Sequence, residues 1–231
     1  PSGFLRELDV NEASRLEGVR AILTAADLKH ERLHGIYSKD WPILIGIDER
    51  VRYMGDAIAL VAADTQTVAD EALKLIKMVI EPRPVVNNPM QAAQPEAEQL
   101  HAKGNLLKKI KVGKGDLEAG FAQSDVIVEH TFYTPFMEHL FMEPECSIAV
   151  PRADGGMDVF TGSQIPYEDR RQVAEALGLE IGRVRVRGQK TGGAFGGKED
   201  IAGQVHAALL AEATAKPVKL LFTRRESMLV H

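Results

Sequence analysis

The chain has 231 residues, of which 45% are hydrophobic, with a formal net charge of -5 and a pI near 5.8. This size is enough for one large core or two modest ones. The acidic balance argues against a nucleic-acid-binding surface, and the single cysteine excludes a disulfide framework within the chain. Since no apolar run is long enough to span a bilayer and the start lacks signal-peptide features, the composition predicts a soluble cytoplasmic protein.

Strand and helix patterns alternate along the chain and predict an α+β (mixed α/β) fold, with domains at residues 1–86 and 105–231. The Pro, Gln, Ala and Glu content of residues 87–104 predicts a linker. Both chain ends are expected to be cut points, because strand patterns lie close to them. Predicted strands cover residues 4–9, 19–23, 52–62, 78–81, 106–112, 126–133, 146–150, 157–161, 184–187 and 218–222. A short helix is predicted to begin at residue 11, and longer helical segments are predicted at 67–77, 116–122 and 169–177.

Two histidines in the first domain match the letters of a zinc motif. His30, Glu31 and His34 have the HExxH spacing, in which both histidines bind zinc from one face of a helix. Gly35 follows immediately and no apolar face surrounds the pair. A solvated loop is therefore the alternative interpretation.

Residues 133–150 interleave large apolar side chains with polar ones. Buried polar groups cost on the order of a few kcal/mol unless they are partnered, so this stretch is either a solvated edge or a site. Cys146 close to His139 permits a thiol nucleophile, whereas a single cysteine in an apolar strand is more often part of a core. The acidic members of the set are Glu138, Glu143 and Glu145.

The most distinctive stretch is the loop 191–200, which reads Thr-Gly-Gly-Ala-Phe-Gly-Gly-Lys-Glu-Asp. Glycines let another group approach the main chain, and consecutive bare N–H groups suit anionic oxygens or sulfurs. Glu199 and Asp200 precede an apolar set at helical spacing, which predicts a helix with these acids in its first turn. A tight turn without a ligand is the alternative.

Part of this loop also fits the spacing of a phosphate-binding P-loop, through Gly192, Gly197 and Lys198. Glu199 occupies the position where that motif needs a Ser or Thr hydroxyl for Mg²⁺. A nucleotide-binding module is therefore disfavoured, although it remains an alternative.

Together these motifs resemble the molybdenum-binding subunit of the xanthine dehydrogenase and aldehyde oxidase family. The first domain resembles the family's α/β hammerhead domain, and the second resembles the first part of its molybdopterin-binding domain. The residues that carry the resemblance are 191–199, 139–144, Gly162-Ser163-Gln164, 51–56, 81–84, 115–116 and 223–228.

The resemblance implies hydroxylation of a purine, another N-heterocycle or an aldehyde, with water as the oxygen source. The implied cofactor is molybdopterin with its molybdenum, either alone or as the cytosine dinucleotide. Iron–sulfur clusters and FAD would lie on partner domains or subunits, since this chain has no cysteine cluster. The rest of the molybdenum subunit, including the general-base glutamate, would lie beyond His231, so the chain is not expected to be active alone.

The resemblance also implies roles for individual residues. Glu199 matches the family carboxylate that orients the substrate, and is the predicted catalytic residue. The family often has a glutamine two positions before His139, where this chain has Met137. A non-catalytic assembly subunit of the same fold remains an alternative. The predicted cofactor-binding residues are Gln164, Gly193, Ala194, Phe195 and Gly196.

Overall fold

The structure is a computed structural model that describes residues 2–201 and 203–230. It contains two compact units, and each is described by itself below. The larger joins the residues up to Val85 with those from His139 onward, and the smaller is Val86–Glu138. The mixture of helices and sheets confirms the predicted α+β class. Among the described residues, no helix is both long enough and apolar enough to cross a membrane.

The amino-terminal part of the larger unit is built from short strands and two helices. The elements are β1 (Gly3–Asp9), α1 (Asn11–Ser14), β2 (Val19–Thr24), β3 (Leu33–His34), β4 (Trp41–Pro42), β5 (Arg50–Val51), β6 (Ala59–Ala63), α2 (Gln66–Leu75) and β7 (Lys77–Pro82). Strand β1 lies between β5 and β7, β2 pairs with β6, and β3 pairs with β4, and all of these pairs are antiparallel.

The single strand predicted over residues 52–62 is wrong, because a turn divides it. The buried Asp56 carboxylate accepts hydrogen bonds from the backbone N–H groups of Arg52 (2.6 Å) and Tyr53 (3.4 Å). An aspartate that bonds to nearby backbone amides favours a turn over a strand. Strands β5 and β6 therefore flank the turn.

His34 is buried, which contradicts the solvated loop expected around it. It is 5% exposed, and its ring centroid lies 4.6 Å from that of Trp41. Burial, with a smaller contribution from His206, lowers the pKa of His34 to about 3. No group of three or more His, Cys, Asp or Glu side chains suited to a metal occurs among residues 2–201 and 203–230.

The smaller unit contains two short capped helices, α3 (Pro89–Ala92) and α4 (Leu117–Ala122). The Asn105 side chain organises its first part: it accepts from the N–H of Leu100 (2.8 Å) and donates to the carbonyl of Glu98 (3.0 Å). The strands predicted at 106–112 and 126–133 are not formed within this unit, all of whose residues are described. A strand needs a neighbouring strand to pair with, and apolar alternation alone does not supply one.

The carboxy-terminal part of the larger unit is a four-stranded sheet covered by helices. The elements are β8 (Cys146–Pro151), β9 (Met157–Thr161), α5 (Pro166–Leu177), β10 (Val184–Gly188), α6 (Gln204–Thr214), β11 (Val218–Leu221) and α7 (Arg224–Val230). The strand order is β10-β9-β8-β11. Strands β9 and β10 run parallel and are joined through α5, whose end is marked by Gly178 in the left-handed conformation (φ 63°).

Helix α6 is the centre of the main core. Seven of its eleven residues are buried, which explains why it shows little of the one-sided apolar pattern of a surface helix. The core around it combines β8, β9, β10 and α5 with residues from the amino-terminal part, including Leu44 and Leu60. The glycine loop 191–200 precedes α6, and Ile201, the residue that follows the loop, is buried in the same core.

Candidate functional site

The glycine loop 191–200 connects β10 to α6 and contains a compact turn. The N–H of Gly197 donates to the carbonyl of Ala194 (2.8 Å), and that of Glu199 donates to the carbonyl of Gly196 (3.1 Å). Phe195 has a positive φ of 54°, which is uncommon for a non-glycine residue. The residue is 76% exposed. A strained backbone that presents an aromatic ring to solvent is typical of a binding loop.

One carboxylate joins the two ends of the loop. Oε2 of Glu143 accepts hydrogen bonds from the N–H of Gly192 (2.7 Å) and from Nζ of Lys198 (2.8 Å). Lys198 is only 3% exposed, and its Nζ lies 4.6 Å from the centroid of the Phe141 ring. We call the Glu143–Lys198 ion pair, with its bond to Gly192, the clasp.

The electrostatics of the clasp favour an ionised Glu143. Burial would raise the pKa of this carboxyl, but the hydrogen bonds from Lys198 and from the Gly192 amide outweigh burial and hold the pKa below its usual value. The ammonium of Lys198 is already paired and almost fully buried. It is not placed to reach a phosphate as a P-loop lysine does, which argues against the nucleotide-binding alternative.

Close packing against residues 139–143 accounts for several of the glycines. A Cβ on Gly192 would lie 2.8 Å from Cβ of Glu143, and one on Gly197 would lie 2.9 Å from the His139 ring. A Cβ on Gly193 would lie 3.1 Å from Cβ of Phe141. Gly196 differs, because the nearest atom to its Cβ position is 3.8 Å away. The interpretation that all four glycines serve ligand approach is therefore too broad: packing explains three of them.

The side chain of Gln164 lies against the loop. Its Oε1 accepts from the backbone N–H groups of Gly196 (3.1 Å) and Lys198 (3.2 Å), and its own N–H donates to the carbonyl of Lys198 (3.1 Å). The structure thus brings together the strand-end motif Gly162-Ser163-Gln164 and the glycine loop, which are about thirty residues apart in the sequence.

Three consecutive backbone donors at the loop's centre are unused. Within the described part of the chain, the N–H groups of Gly193, Ala194 and Phe195 have no hydrogen-bond partner. Successive N–H groups in a backbone with positive φ values form a concave site for anionic atoms. These donors, with the amide of Gln164 beside them, fit a ligand that carries oxygen or sulfur atoms of negative character.

The Glu199 carboxylate is exposed at the end of this loop. The prediction that Glu199 and Asp200 lie in the first turn of the following helix is wrong, because α6 begins only at Gln204. The hydrogen bond from the Glu199 amide to Gly196 keeps residue 199 within the loop's own turn. Its side chain therefore belongs to the loop and not to the helix.

Comparisons with known proteins agree with this geometry. Residues 99–231 match the profile of the molybdopterin cofactor-binding domain, and residues 1–84 match that of the aldehyde oxidase and xanthine dehydrogenase a/b hammerhead domain. The chain belongs to the xanthine dehydrogenase and aldehyde oxidase family of molybdenum-binding proteins. The resemblance inferred from the sequence is thereby confirmed.

Relatives within this family include a probable xanthine dehydrogenase subunit from Bacillus subtilis, with 40% identity over 94% of this chain and 29% of the relative. The large molybdopterin subunit of nicotinate dehydrogenase from Eubacterium barkeri is 36% identical over 100% of this chain and 54% of the relative. Aldehyde oxidoreductase from Desulfovibrio gigas has a similar structure, with a TM-score of 0.88 and 28% identity over 98% of this chain and 26% of that one. The chain thus spans between about a quarter and about half of these proteins.

The sequence analysis did not predict the structural role of two residues of the site. Glu143 appeared only within a mixed acidic set, and Lys198 only as a P-loop candidate, yet they form the clasp.

Cys146 lies in β8 opposite Leu221 of β11 and is partly buried, which favours its place in a core over a nucleophile's role. Met137, the position where the family often has glutamine, lies in the smaller unit.

Proposed function

We propose that this chain is the part of a molybdenum hydroxylase subunit that holds one side of the molybdopterin cofactor, at loop 191–200. The observation that carries the proposal is the run of unused amides at Gly193, Ala194 and Phe195, next to Gln164. When bound, the cofactor supplies a molybdenum centre at which oxygen from water is transferred to carbon. The domain division at residues 1–86 and 105–231, with a linker at 87–104, forms part of the proposal.

In this proposal the unused amides and Gln164 hold the cofactor. The donors of Gly193, Ala194, Phe195 and Gly196 line the loop, and the Gly196 donor is already shared with Oε1 of Gln164. Because that oxygen is held by two loop amides, the NH₂ group of Gln164 is oriented and has no partner among the described residues. It is therefore available to donate to an oxygen or sulfur atom of the cofactor. The exposed Phe195 ring would cover one side of the bound group.

Glu199 is the proposed catalytic residue that orients the substrate. Its carboxylate is exposed at the edge of the loop, so a substrate N–H or O–H can donate to it without prior movement of the fold. We further propose that the complete protein hydroxylates a purine, another N-heterocycle or an aldehyde. Two relatives are named as xanthine and nicotinate dehydrogenase subunits, which supports an N-heterocycle in particular.

The proposed partners follow from the same reasoning. The complete protein would include the rest of the molybdenum subunit together with iron–sulfur and FAD domains or subunits, and it would carry the cofactor as molybdopterin or its cytosine dinucleotide. A cytoplasmic location is also proposed, and the single cysteine of the chain supports it.

The test is Glu199→Gln in the complete enzyme, with Asp200→Asn as the matched control at the neighbouring acid. Misplacing a substrate typically lowers turnover about a hundredfold, so kcat/KM for the best heterocyclic substrate should fall by about that factor in the first variant. The molybdenum content and the melting temperature should stay unchanged, and the control should keep its turnover. Unchanged turnover in Glu199→Gln would remove Glu199 from the site.

A further inference from the structure

Strand β10 leaves one edge of the carboxy-terminal sheet open. In the part of the chain that the structure describes, β10 pairs with β9 only. The N–H of Gln189, just beyond β10, donates to the carbonyl of Thr161 in β9 (2.9 Å). In a parallel pair, the residues that bond to the neighbouring strand alternate with residues whose backbone groups point away from it. The backbone N–H and C=O groups of Val184, Val186 and Gly188 therefore face the open edge.

A cavity of about 360 Å³ lies along this edge, between β10 and the start of α5. Among the described residues that line it, none is acidic, whereas two are arginines and one is a tyrosine. The tyrosine is exposed, so a further segment can contact its ring. The open edge is therefore concave and basic. We call this surface the edge groove, and its main members are Tyr167, Arg170, Val184, Arg185, Val186 and Gly188.

The two arginines of the edge groove are not neutralised by carboxylates within the described chain. Nε of Arg170 donates to the carbonyl of Ile181 (2.9 Å), which is an uncharged acceptor. Arg185 has no hydrogen bond or ion pair to any residue among 2–201 and 203–230. Arg187, by contrast, pairs with Asp158 (3.3 Å). Because guanidinium groups match carboxylates in charge and geometry, the edge groove suits a carboxylate that lies outside the described chain.

Protection of the edge does not by itself account for this surface. Charged side chains commonly keep sheet edges from pairing with other chains. That role needs charges that protrude from the edge, and it needs neither a cavity nor an exposed ring beside them. A pocket next to outward-facing backbone groups is instead the arrangement that receives an added strand, because it accepts one of that strand's side chains.

We propose that the edge groove binds an extended acidic segment of the same polypeptide, from the part of the complete protein outside these 231 residues. The segment forms main-chain hydrogen bonds with Val186 and Gly188. One of its carboxylates pairs with Arg170 and Arg185. The matched region is about a quarter to half of each relative, so a complete protein of similar length has enough further sequence to supply the segment.

The test places the photo-crosslinking residue p-benzoylphenylalanine at Tyr167 of the complete protein. After irradiation, mass spectrometry should find a cross-link to one segment of the same polypeptide outside residues 1–231. That segment should carry Asp or Glu within about two positions of the attachment point, because neighbouring strand residues alternate between faces. The control carries the same photo-crosslinking residue at Tyr37, which is fully exposed and outside the groove, and should not link to that segment.

Hydrogen–deuterium exchange of the complete protein gives a second readout. The amides of Val186 and Gly188 should be protected in the wild type. Arg185→Glu should speed their exchange about tenfold, because like charges oppose the acidic segment, whereas Arg185→Lys keeps the charge and should retain the protection. Arg183→Glu, at an exposed arginine outside the groove, is the matched control and should change nothing.

Several results would overturn the proposal. These are the absence of a defined cross-link from position 167, a cross-link to a partner subunit or to a second copy, and equal effects of Arg185→Glu and Arg183→Glu on exchange. Neither readout depends on molybdenum. The expected cross-link in a complete protein that contains no molybdenum would therefore uphold the docking of the segment and reject the proposed function.

Discussion

Breaking the clasp from its two sides should have unequal effects on stability. Glu143→Gln leaves the Lys198 ammonium, which is 3% exposed, without an anion. Removing one partner of a buried ion pair costs about 3–5 kcal/mol, and the lower end applies because the Glu143 side chain is 39% exposed. We therefore expect a loss of about 3 kcal/mol in the free energy of unfolding.

Lys198→Met should cost less, since it removes the charge that is difficult to bury. Glu143 then retains its hydrogen bond from the Gly192 N–H (2.7 Å) and its access to water. The expected loss is about 1 kcal/mol, the value of one net hydrogen bond. The double variant contains no unpaired ammonium. Its free energy of unfolding should therefore fall by only about 1–2 kcal/mol, far below the sum of the falls in the two single variants.

The assay is urea unfolding of the 231-residue chain, followed by the fluorescence of Trp41. This is the only tryptophan of the chain, and it packs against His34 in the same compact unit as the clasp. Lys190→Met, at an exposed lysine just before the loop, is the control and should stay within about 0.5 kcal/mol of the wild type. Equal losses in the two single variants, or additive losses in the double variant, would show that the ion pair is solvated and does not hold the loop.

Three other changes test separate features. The pKa of Asp169 is raised to about 6 by burial, against about 3.9 in an unfolded chain. The wild type should therefore lose about 2 kcal/mol of stability as the pH rises from 4 to 7, and in urea titrations at several pH values Asp169→Asn should not share that loss. Gly197→Ala places a Cβ 2.9 Å from the His139 ring and should lower stability by about 1–3 kcal/mol in thermal unfolding, whereas Gly182→Ala, with open space around it, should not. Gln164→Ala removes the acceptor of two loop amides and should leave less molybdenum after dialysis than Gln164→Glu, which keeps an acceptor.

Elements with a strong local pattern were predictable from the sequence. The helix expected at 67–77 is observed at Gln66–Leu75, and the helix expected at 169–177 forms the end of Pro166–Leu177. Both have apolar spacing that repeats over several turns, and Gly178 provides a clear stop for the second. In such cases, local periodicity and a strong end signal are sufficient to predict a helix from the sequence.

Features that depend on distant residues were not predictable from local patterns. The clasp joins Glu143 to Lys198 across 55 positions of the sequence, and no spacing rule connects them. The turn at Asp56 interrupts an apolar run because one side chain bonds to two backbone amides. The candidate site itself was found because a family motif, and not periodicity, marks it. The packing reasons for its glycines became visible only when residues 139–143 were placed beneath them.

Molybdenum content tests the central claim most directly. The complete protein, recovered from its source with this chain as bait, would be measured by elemental mass spectrometry for molybdenum and iron. The proposed function predicts about one molybdenum per copy of the chain with iron alongside, and less molybdenum in the Gln164→Ala variant. An intact complex that contains no molybdenum would contradict it and would favour a non-catalytic assembly role for the same fold.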